Sequence, residues 1–279
     1  MNLSTYKNDQ DVKEFIEWIE PKLSIEDSFN HSYTTKKPIK TFKFNSIYSA
    51  FEKYEWKDKN FYENQIILNA YSEEIKKRIE ENDKDKVIQS CENILAWGGV
   101  LGNSERGNKR KLNGLNNRID PNNPNNRLNI IDYLKNVRGH LRIESCEDES
   151  IYYSTIHCNS GFSKIYSTIV DNFIIYDSRV SCALCYLIKL YKEENLLGEI
   201  PESLKFAYSV GRSENRNPDL NGLNFKKLYP YNYLKYNIIA SWLLKLILEK
   251  TETRFNNLDE NIQLRALESA LFMIGYKIN

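Results

Sequence analysis

Apolar side chains recur at every third or fourth position along several stretches of the chain, which is the spacing of an amphipathic helix. In residues 10–20, for example, Val12, Phe15, Ile16 and Ile19 share one face. The same spacing predicts further helices at residues 61–79, 86–97, 128–137, 233–248 and 259–274. The pattern therefore predicts a mostly α fold.

Local signals mark where some of these helices begin and end. Gly98 and Gly99 follow the helix predicted at 86–97, and glycine supplies the backbone angles that a helix C-cap requires. Asp259 precedes the last predicted helix and is expected to cap it.

Residues 102–127 interrupt the helical pattern. They are rich in Asn, Gly and Pro, which predicts a long loop. This segment contains six basic residues and two acidic ones, which gives it a net charge of +4. The basic residues are Arg106, Lys109, Arg110, Lys111, Arg118 and Arg127, and the acidic ones are Glu105 and Asp120. The loop is either a solvated surface segment or a phosphate-contacting one that uses Lys109, Arg110 and Lys111.

The loop divides the chain into three predicted parts. These are an N-terminal helical region at 1–100, the basic Asn/Gly-rich loop at 101–127, and a third region at 128–279 that contains the remaining helices.

The composition bears on the ligands, the cellular compartment and the membrane association expected of the protein. The 279 residues include 39 basic and 38 acidic ones, so nucleic-acid affinity would have to come from local patches. Five scattered cysteines and the lack of an N-terminal apolar segment predict a cytoplasmic protein with reduced thiols. Lys189 and Lys245 interrupt the two most apolar stretches, so no membrane span is predicted.

Two potentially reactive side chains are predicted at the starts of neighbouring helices. A turn at Ser160 and Gly161 leads into a short helix with Lys164 near its beginning, and an apolar run then leads to Asp177. At an N-cap, the free N–H groups and the helix dipole favour an ionised Asp177. A purely capping role for Asp177 is the alternative.

This arrangement resembles a known signature. The string Tyr176-Asp177-Ser178-Arg179-Val180, with a glycine-containing turn and a lysine on the preceding helix, is similar to the helix-hairpin-helix DNA glycosylases, most closely the 8-oxoguanine DNA glycosylase branch. The resemblance covers residues 151–274. The turn reads Asn159-Ser160-Gly161-Phe162-Ser163 where the family usually has an apolar residue, Pro, Gly, an apolar residue and Gly.

The resemblance implies two helical subdomains with a cleft between them, and an enzyme that excises a damaged or modified base flipped out of double-stranded DNA. Asp177 would stabilise the sugar cation, and Lys164 would attack the sugar to form a Schiff base. Gly161, Ser163 and Arg179 would contact DNA. A single copy of the chain would act in repair or in defence against modified foreign DNA.

Several residues are candidates for the pocket that holds the base: Trp97, Gly98, Gly99, Arg216, Asn217 and Trp242. Trp242 also fits the apolar spacing of its helix, which makes a core position the alternative.

No cofactor or metal is expected. Cys182 and Cys185 fall within an amphipathic helix, where buried thiols are predicted, and no cysteine follows them to complete an iron–sulfur ligand set.

Two other functions stay open at this stage. A non-enzymatic helical DNA-binding module would be favoured by a structural salt bridge between Asp177 and Arg179. A helical scaffold for protein partners would be favoured if the basic loop had no affinity for DNA.

Overall fold

The protein is mostly helical, as predicted. The computed structural model describes residues 2–102, 107–116, 118–120, 123–141, 156–211, 214–220 and 222–278. Within these residues the α-helices are α1 (Leu3–Asn8), α2 (Gln10–Ser24), α3 (Ile47–Glu52), α4 (Phe61–Glu80), α5 (Lys84–Trp97), α6 (Asn108–Leu115), α7 (Ile130–His140), α8 (Phe162–Ile169), α9 (Ser178–Glu194), α10 (Tyr233–Lys250) and α11 (Glu260–Ile274).

Three small sheets accompany the helices, each of two strands in the described part of the chain. The strands are β1 (His31–Thr34), β2 (Thr41–Phe44), β3 (Arg118–Asp120), β4 (Asn123–Leu128), β5 (Ala207–Tyr208) and β6 (Lys226–Lys227). The pairs β1–β2 and β3–β4 are antiparallel, whereas β5–β6 is parallel.

The helices predicted from apolar spacing are confirmed as α2, α4, α5, α7, α10 and α11, with ends shifted by a few residues. At the end of α5, Gly98 is the C-cap and Gly99 has φ +66°, a left-handed conformation that suits glycine. Asp259 occupies the N-cap of α11, but its side chain makes no capping hydrogen bond.

Residues 101–127 are not the continuous loop predicted from composition. They contain α6 and the hairpin of β3 with β4. Leu112 and Leu115 form a short buried stripe on α6, which packs against α5 and α7. Two leucines among polar residues are enough for this packing, and averaged composition hides them. Glu105 and Arg106 lie outside the described residues, as do the side chains at 117–128.

One continuous hydrophobic core runs from Tyr6 to Ile278 and joins the N-terminal region to the helices after residue 128. Near the C-terminus, α11 packs against both α3 and α9. The end of α11 approaches the start of α9 so closely that a Cβ on Gly275 would lie 1.9 Å from the carbonyl oxygen of Arg179. Among the described helices, none combines the length and apolar character that crossing a membrane would require.

The contact at Gly275 gives a stability prediction. Gly275→Ala should lower the free energy of unfolding by about 1–3 kcal/mol, because the added methyl group would force the two helices apart. Urea unfolding measures this change. Gly139→Ala in α7 is the control: nothing lies within 4 Å of its added Cβ, so this variant should be slightly stabilised. Equal stability of the two variants would contradict the packing of α11 on α9.

Candidate functional site

Asp177 begins α9, as the sequence predicts. Its Oδ1 accepts hydrogen bonds from the backbone N–H groups of Arg179 and Val180 at 2.9 and 3.2 Å. These bonds satisfy two of the free donors at the helix start and fix the carboxylate in one orientation. The second oxygen, Oδ2, points to a lysine.

Lys164 is that lysine. It lies in the first turn of α8, and its Nζ donates to the carbonyl of Ser160 at 2.9 Å and lies 3.6 Å from Oδ2 of Asp177. The Lys164 side chain is 6% exposed and that of Asp177 is 16% exposed. The fold therefore places the two predicted catalytic residues in an ion pair that is largely shielded from solvent.

The surroundings shift both pKa values. Burial holds the pKa of Lys164 below its ordinary value, against the opposing charge of Asp177. Burial alone would raise the pKa of Asp177, but Lys164, Arg179 and two backbone donors together hold it below the usual range. The pair thus combines an ionised carboxylate with an amine that releases its proton more readily than a surface lysine does.

The backbone that leads to Asp177 is held by buried polar side chains of α10 and α11. Asn237 Nδ2 donates to the Ile174 carbonyl at 2.9 Å, and the Ile175 N–H donates to Glu268 Oε2 at 2.9 Å. Ser241 and Tyr233 complete the set by bonding Ile174 N and the Tyr176 carbonyl. The sequence analysis did not single out Tyr233, Asn237 or Glu268, because their contacts depend on how α10 and α11 pack against residues 174–176.

A second buried ion pair lies beside the first. Arg265 bonds Glu268, and the charge of Arg265 contributes to lowering the pKa of Lys164. Glu268 therefore has two roles, because it holds the backbone before Asp177 and also neutralises Arg265.

The turn at Gly98 and Gly99 is in direct contact with Lys164. A Cβ on Gly98 would lie 2.3 Å from Lys164 Cδ, so glycine leaves the space that the lysine side chain occupies. Gly99 lies beside Trp56, whose indole N–H donates to the Trp97 carbonyl at 3.0 Å. The sequence predicted that this turn lines the base pocket, and in the structure Gly98 lies against the lysine side chain.

Neither predicted tryptophan forms an open pocket wall. Trp242 is 1% exposed and its ring packs 6.0 Å from that of Tyr6, so its assignment to substrate binding is wrong and it is a core residue. Trp97 is also buried, and its indole N–H donates to Asn64 Oδ1 at 2.9 Å.

The predicted DNA contacts of Gly161 and Ser163 are contradicted by their burial. Ser163 is fully buried, and a Cβ on Gly161 would lie 2.3 Å from the Asn108 side chain of α6. Asn159 forms the turn instead, because its Oδ1 accepts from the N–H groups of Gly161 and Phe162. Gly161 and Ser163 are therefore buried, and Gly161 packs on α6, while Asn159 and Ser160 of the same turn are half-buried.

Arg179 and Arg216 lie at the start of α9. The Arg179 guanidinium lies 4.1 Å from the ring centre of Phe272, so this side chain stacks on aromatic rings. Arg216 donates to Ser178 Oγ at 3.1 Å. Asn217 accepts from the hydroxyl of Tyr208 at 2.6 Å. Arg216 thus stabilises the start of α9, and Asn217 stabilises strand β5 through Tyr208.

A cavity of about 410 Å³ lies between α4, the end of α8 and α11. Arg265, Glu268, Lys76 and Thr168 are among its lining residues. The lining includes none of the residues predicted for the base pocket, and neither Lys164 nor Asp177. Arg265 and Glu268 therefore connect this cavity to the ion pair.

Three of the basic residues in the segment predicted as a loop, Lys109, Arg110 and Lys111, lie on α6. Lys109 and Arg110 are exposed, and Lys109 pairs with Glu92 of α5 at 3.2 Å. Asn108, the first residue of the same helix, is the residue that packs on Gly161. The exposed charges thus adjoin the turn that precedes Lys164.

The thiols of Cys182 and Cys185 are buried, as predicted, and burial raises the pKa of Cys182 to about 12. Within the residues that the structure describes, no group of three His, Cys, Asp or Glu side chains could hold a metal ion.

No family model, curated protein or solved structure matches this chain. The chemistry of the site rests on its own atoms: a buried amine, a fixed carboxylate and a glycine turn that makes room for the lysine.

The opposing effects on Lys164 give a second prediction. Asp177→Asn removes the charge that raises the pKa of Lys164 and leaves burial in place, so this pKa should fall further below its ordinary value. A ¹³C NMR titration of labelled lysine side chains measures it. Asp9→Asn is the control, since Asp9 also caps a helix, α2, through its side chain. An unchanged pKa of Lys164 in Asp177→Asn would show that the two groups are not coupled, and a rise would contradict the predicted direction.

Proposed function

We propose that this protein is a DNA glycosylase that cleaves the N-glycosidic bond of a damaged or modified base turned out of double-stranded DNA, in repair or in defence against foreign DNA. The observation that carries the proposal is the buried pair in which Lys164 Nζ lies 3.6 Å from Asp177 Oδ2. An amine with a lowered pKa beside a fixed carboxylate is the set of groups that this reaction uses.

Asp177 supplies electrostatic stabilisation in this proposal. As the bond between the base and the sugar breaks, the base leaves with the bonding electrons and positive charge develops on the deoxyribose. A carboxylate already held by two backbone donors opposes that charge without having to reorient. Its lowered pKa keeps it ionised at neutral pH.

Lys164 supplies the nucleophile. Burial lowers the pKa of its amine and so raises the fraction in the free-base form that can attack the sugar carbon. The new bond between Nζ and this carbon replaces the bond to the base. Transfer of a proton from the amine to the ring oxygen then opens the sugar ring and gives a Schiff base. In the lyase step the Schiff base loses a C2′ proton and the 3′ phosphate departs with the bonding electrons, which makes the enzyme a combined glycosylase and lyase.

DNA would be held and the base received by two neighbouring features. The positive charges of α6, from the exposed Lys109 and Arg110 and the half-buried Lys111, suit sequence-independent phosphate contacts. The cavity of about 410 Å³ lies in the size range of ligand sites, and we assign it to the extruded base.

The alternative of a non-enzymatic DNA-binding module has less support. A structural salt bridge between Asp177 and Arg179 would have favoured it. In the described residues, Asp177 pairs instead with Lys164, and the Arg179 guanidinium stacks on Phe272.

Incubation with duplexes that each carry one modified base, followed by alkali to cleave abasic sites, tests the proposal. Asp177→Asn should keep the fold and lower excision by on the order of 100-fold or more, because the amide still caps α9 but lacks the charge. Asp9→Asn, at another capping aspartate, should stay as active as the unmodified protein. Near-normal excision by Asp177→Asn would remove this residue from the mechanism.

Borohydride trapping tests the role of Lys164. The unmodified protein should form a covalent product with a substrate duplex, and Lys164→Gln should form none. Lys189→Gln is the control, because Lys189 pairs on the surface of α9 with Glu193. An adduct that survives in Lys164→Gln would place the nucleophile on another amine and overturn the assignment.

A further inference from the structure

Two exposed tyrosines stack on each other just before α10. The rings of Tyr229 and Tyr231 have centres 5.5 Å apart and planes that differ by 8°. Tyr229 is 48% exposed and Tyr231 is 71% exposed. Exposed apolar side chains grouped in this way mark an interaction surface more often than scattered ones do.

The local backbone holds the tyrosine pair in place. Pro230 separates the two residues and restricts the φ angle between them. Asn232 Oδ1 accepts from the Tyr229 N–H at 2.7 Å, and Asn232 Nδ2 donates to the Lys227 carbonyl at 3.0 Å. The rings are therefore preorganised, which reduces the entropy that a partner would have to overcome on binding.

The charge around the pair favours an anionic partner. Residues 220–248 contain four lysines and no acidic residue: Lys226, Lys227, Lys235 and Lys245. Asp219 and Glu249 flank this range, and Lys226 and Lys245 pair with Glu202 and Glu249. Lys227 is exposed, with its Nζ 4.0 Å from the ring centre of Tyr208, and is the positive charge closest to the tyrosines in sequence. Aromatic rings beside positive charge are the combination that binds unpaired nucleobases, because the bases stack and the backbone is neutralised.

The tyrosine pair is linked to the candidate site through the start of α10. Tyr233, two residues after Tyr231, donates its hydroxyl to the carbonyl of Tyr176, the residue before Asp177. Two residues span at most about 7 Å between Cα atoms. A single DNA molecule bound at Asp177 could thus reach the tyrosines.

We propose that Tyr229 and Tyr231 form a stacking platform for an unpaired base of the DNA bound at the Lys164–Asp177 site. The inference rests on the proposed function for the identity of the ligand as DNA. It adds a second contact, distinct from the base that is excised, and it predicts a preference for DNA with a base outside the helical stack.

Fluorescence anisotropy with two labelled duplexes of equal length, one intact and one with a single-base bulge, tests this contact. The unmodified protein should bind the bulged duplex more tightly. The double variant Tyr229→Ala/Tyr231→Ala should lose about 10-fold or more in affinity for the bulged duplex and little for the intact one. Tyr229→Phe/Tyr231→Phe should bind like the unmodified protein, because the rings and not the hydroxyls make the contact.

Tyr62→Ala is the matched control, since Tyr62 is an exposed tyrosine on α4. With 2-aminopurine as the bulged base, stacking should quench its emission on binding to the unmodified protein and to the Phe variant but not to the Ala variant. An Ala variant with unchanged affinity and quenching would overturn the inference, as would equal binding of both duplexes by the unmodified protein.

The binding assay separates this inference from the proposed function. Tyrosine-dependent binding of the bulged duplex without excision of any base would support the platform and refute the glycosylase. Excision of a base together with binding that does not depend on the tyrosines would support the glycosylase and refute the platform. Binding of an acidic protein through the tyrosines, with no binding of DNA, would refute the platform.

Discussion

The burial of opposite charges at Lys164 and Asp177 is the constraint on which the rest of the site depends. Removing an ion from water costs several kcal/mol, and the attraction between two ions offsets this only when their geometry is good. The nearby hydrogen bonds maintain that geometry: two backbone donors hold Asp177, the Ser160 carbonyl holds Lys164, and Glu268 holds the backbone at Ile175. Such a pair fixes positions more than it adds stability.

The site is assembled from distant parts of the sequence. The glycine turn after α5 belongs to the first hundred residues, the ion pair to residues 164–177, and the supporting side chains to α10 and α11. The main hydrophobic core and the close approach of Gly275 to Arg179 bring these parts together. The position of the carboxylate thus depends on contacts made by the last helix of the chain.

Periodicity and capping signals predicted the long helices and the positions of Lys164 and Asp177 well, because both depend on neighbouring residues. The placement of Asp177 at a helix start and of Lys164 on the preceding helix followed from that pattern. It did not reveal Glu268 or Asn237, since their roles depend on how α10 and α11 pack against residues 174–176. It also misjudged Gly161, because its neighbour Asn108 lies on α6, whose two leucines are hidden in a polar stretch.

The space between Gly98 and Lys164 has a consequence for how the sequence can change over time. The lysine side chain fills the volume that any larger residue at position 98 would need. In related sequences these two positions should therefore vary together, with a shorter side chain at position 164 wherever position 98 acquires a Cβ. A related sequence that keeps glycine at position 98 but lacks lysine at position 164 would show that the turn had been retained for a reason other than this contact.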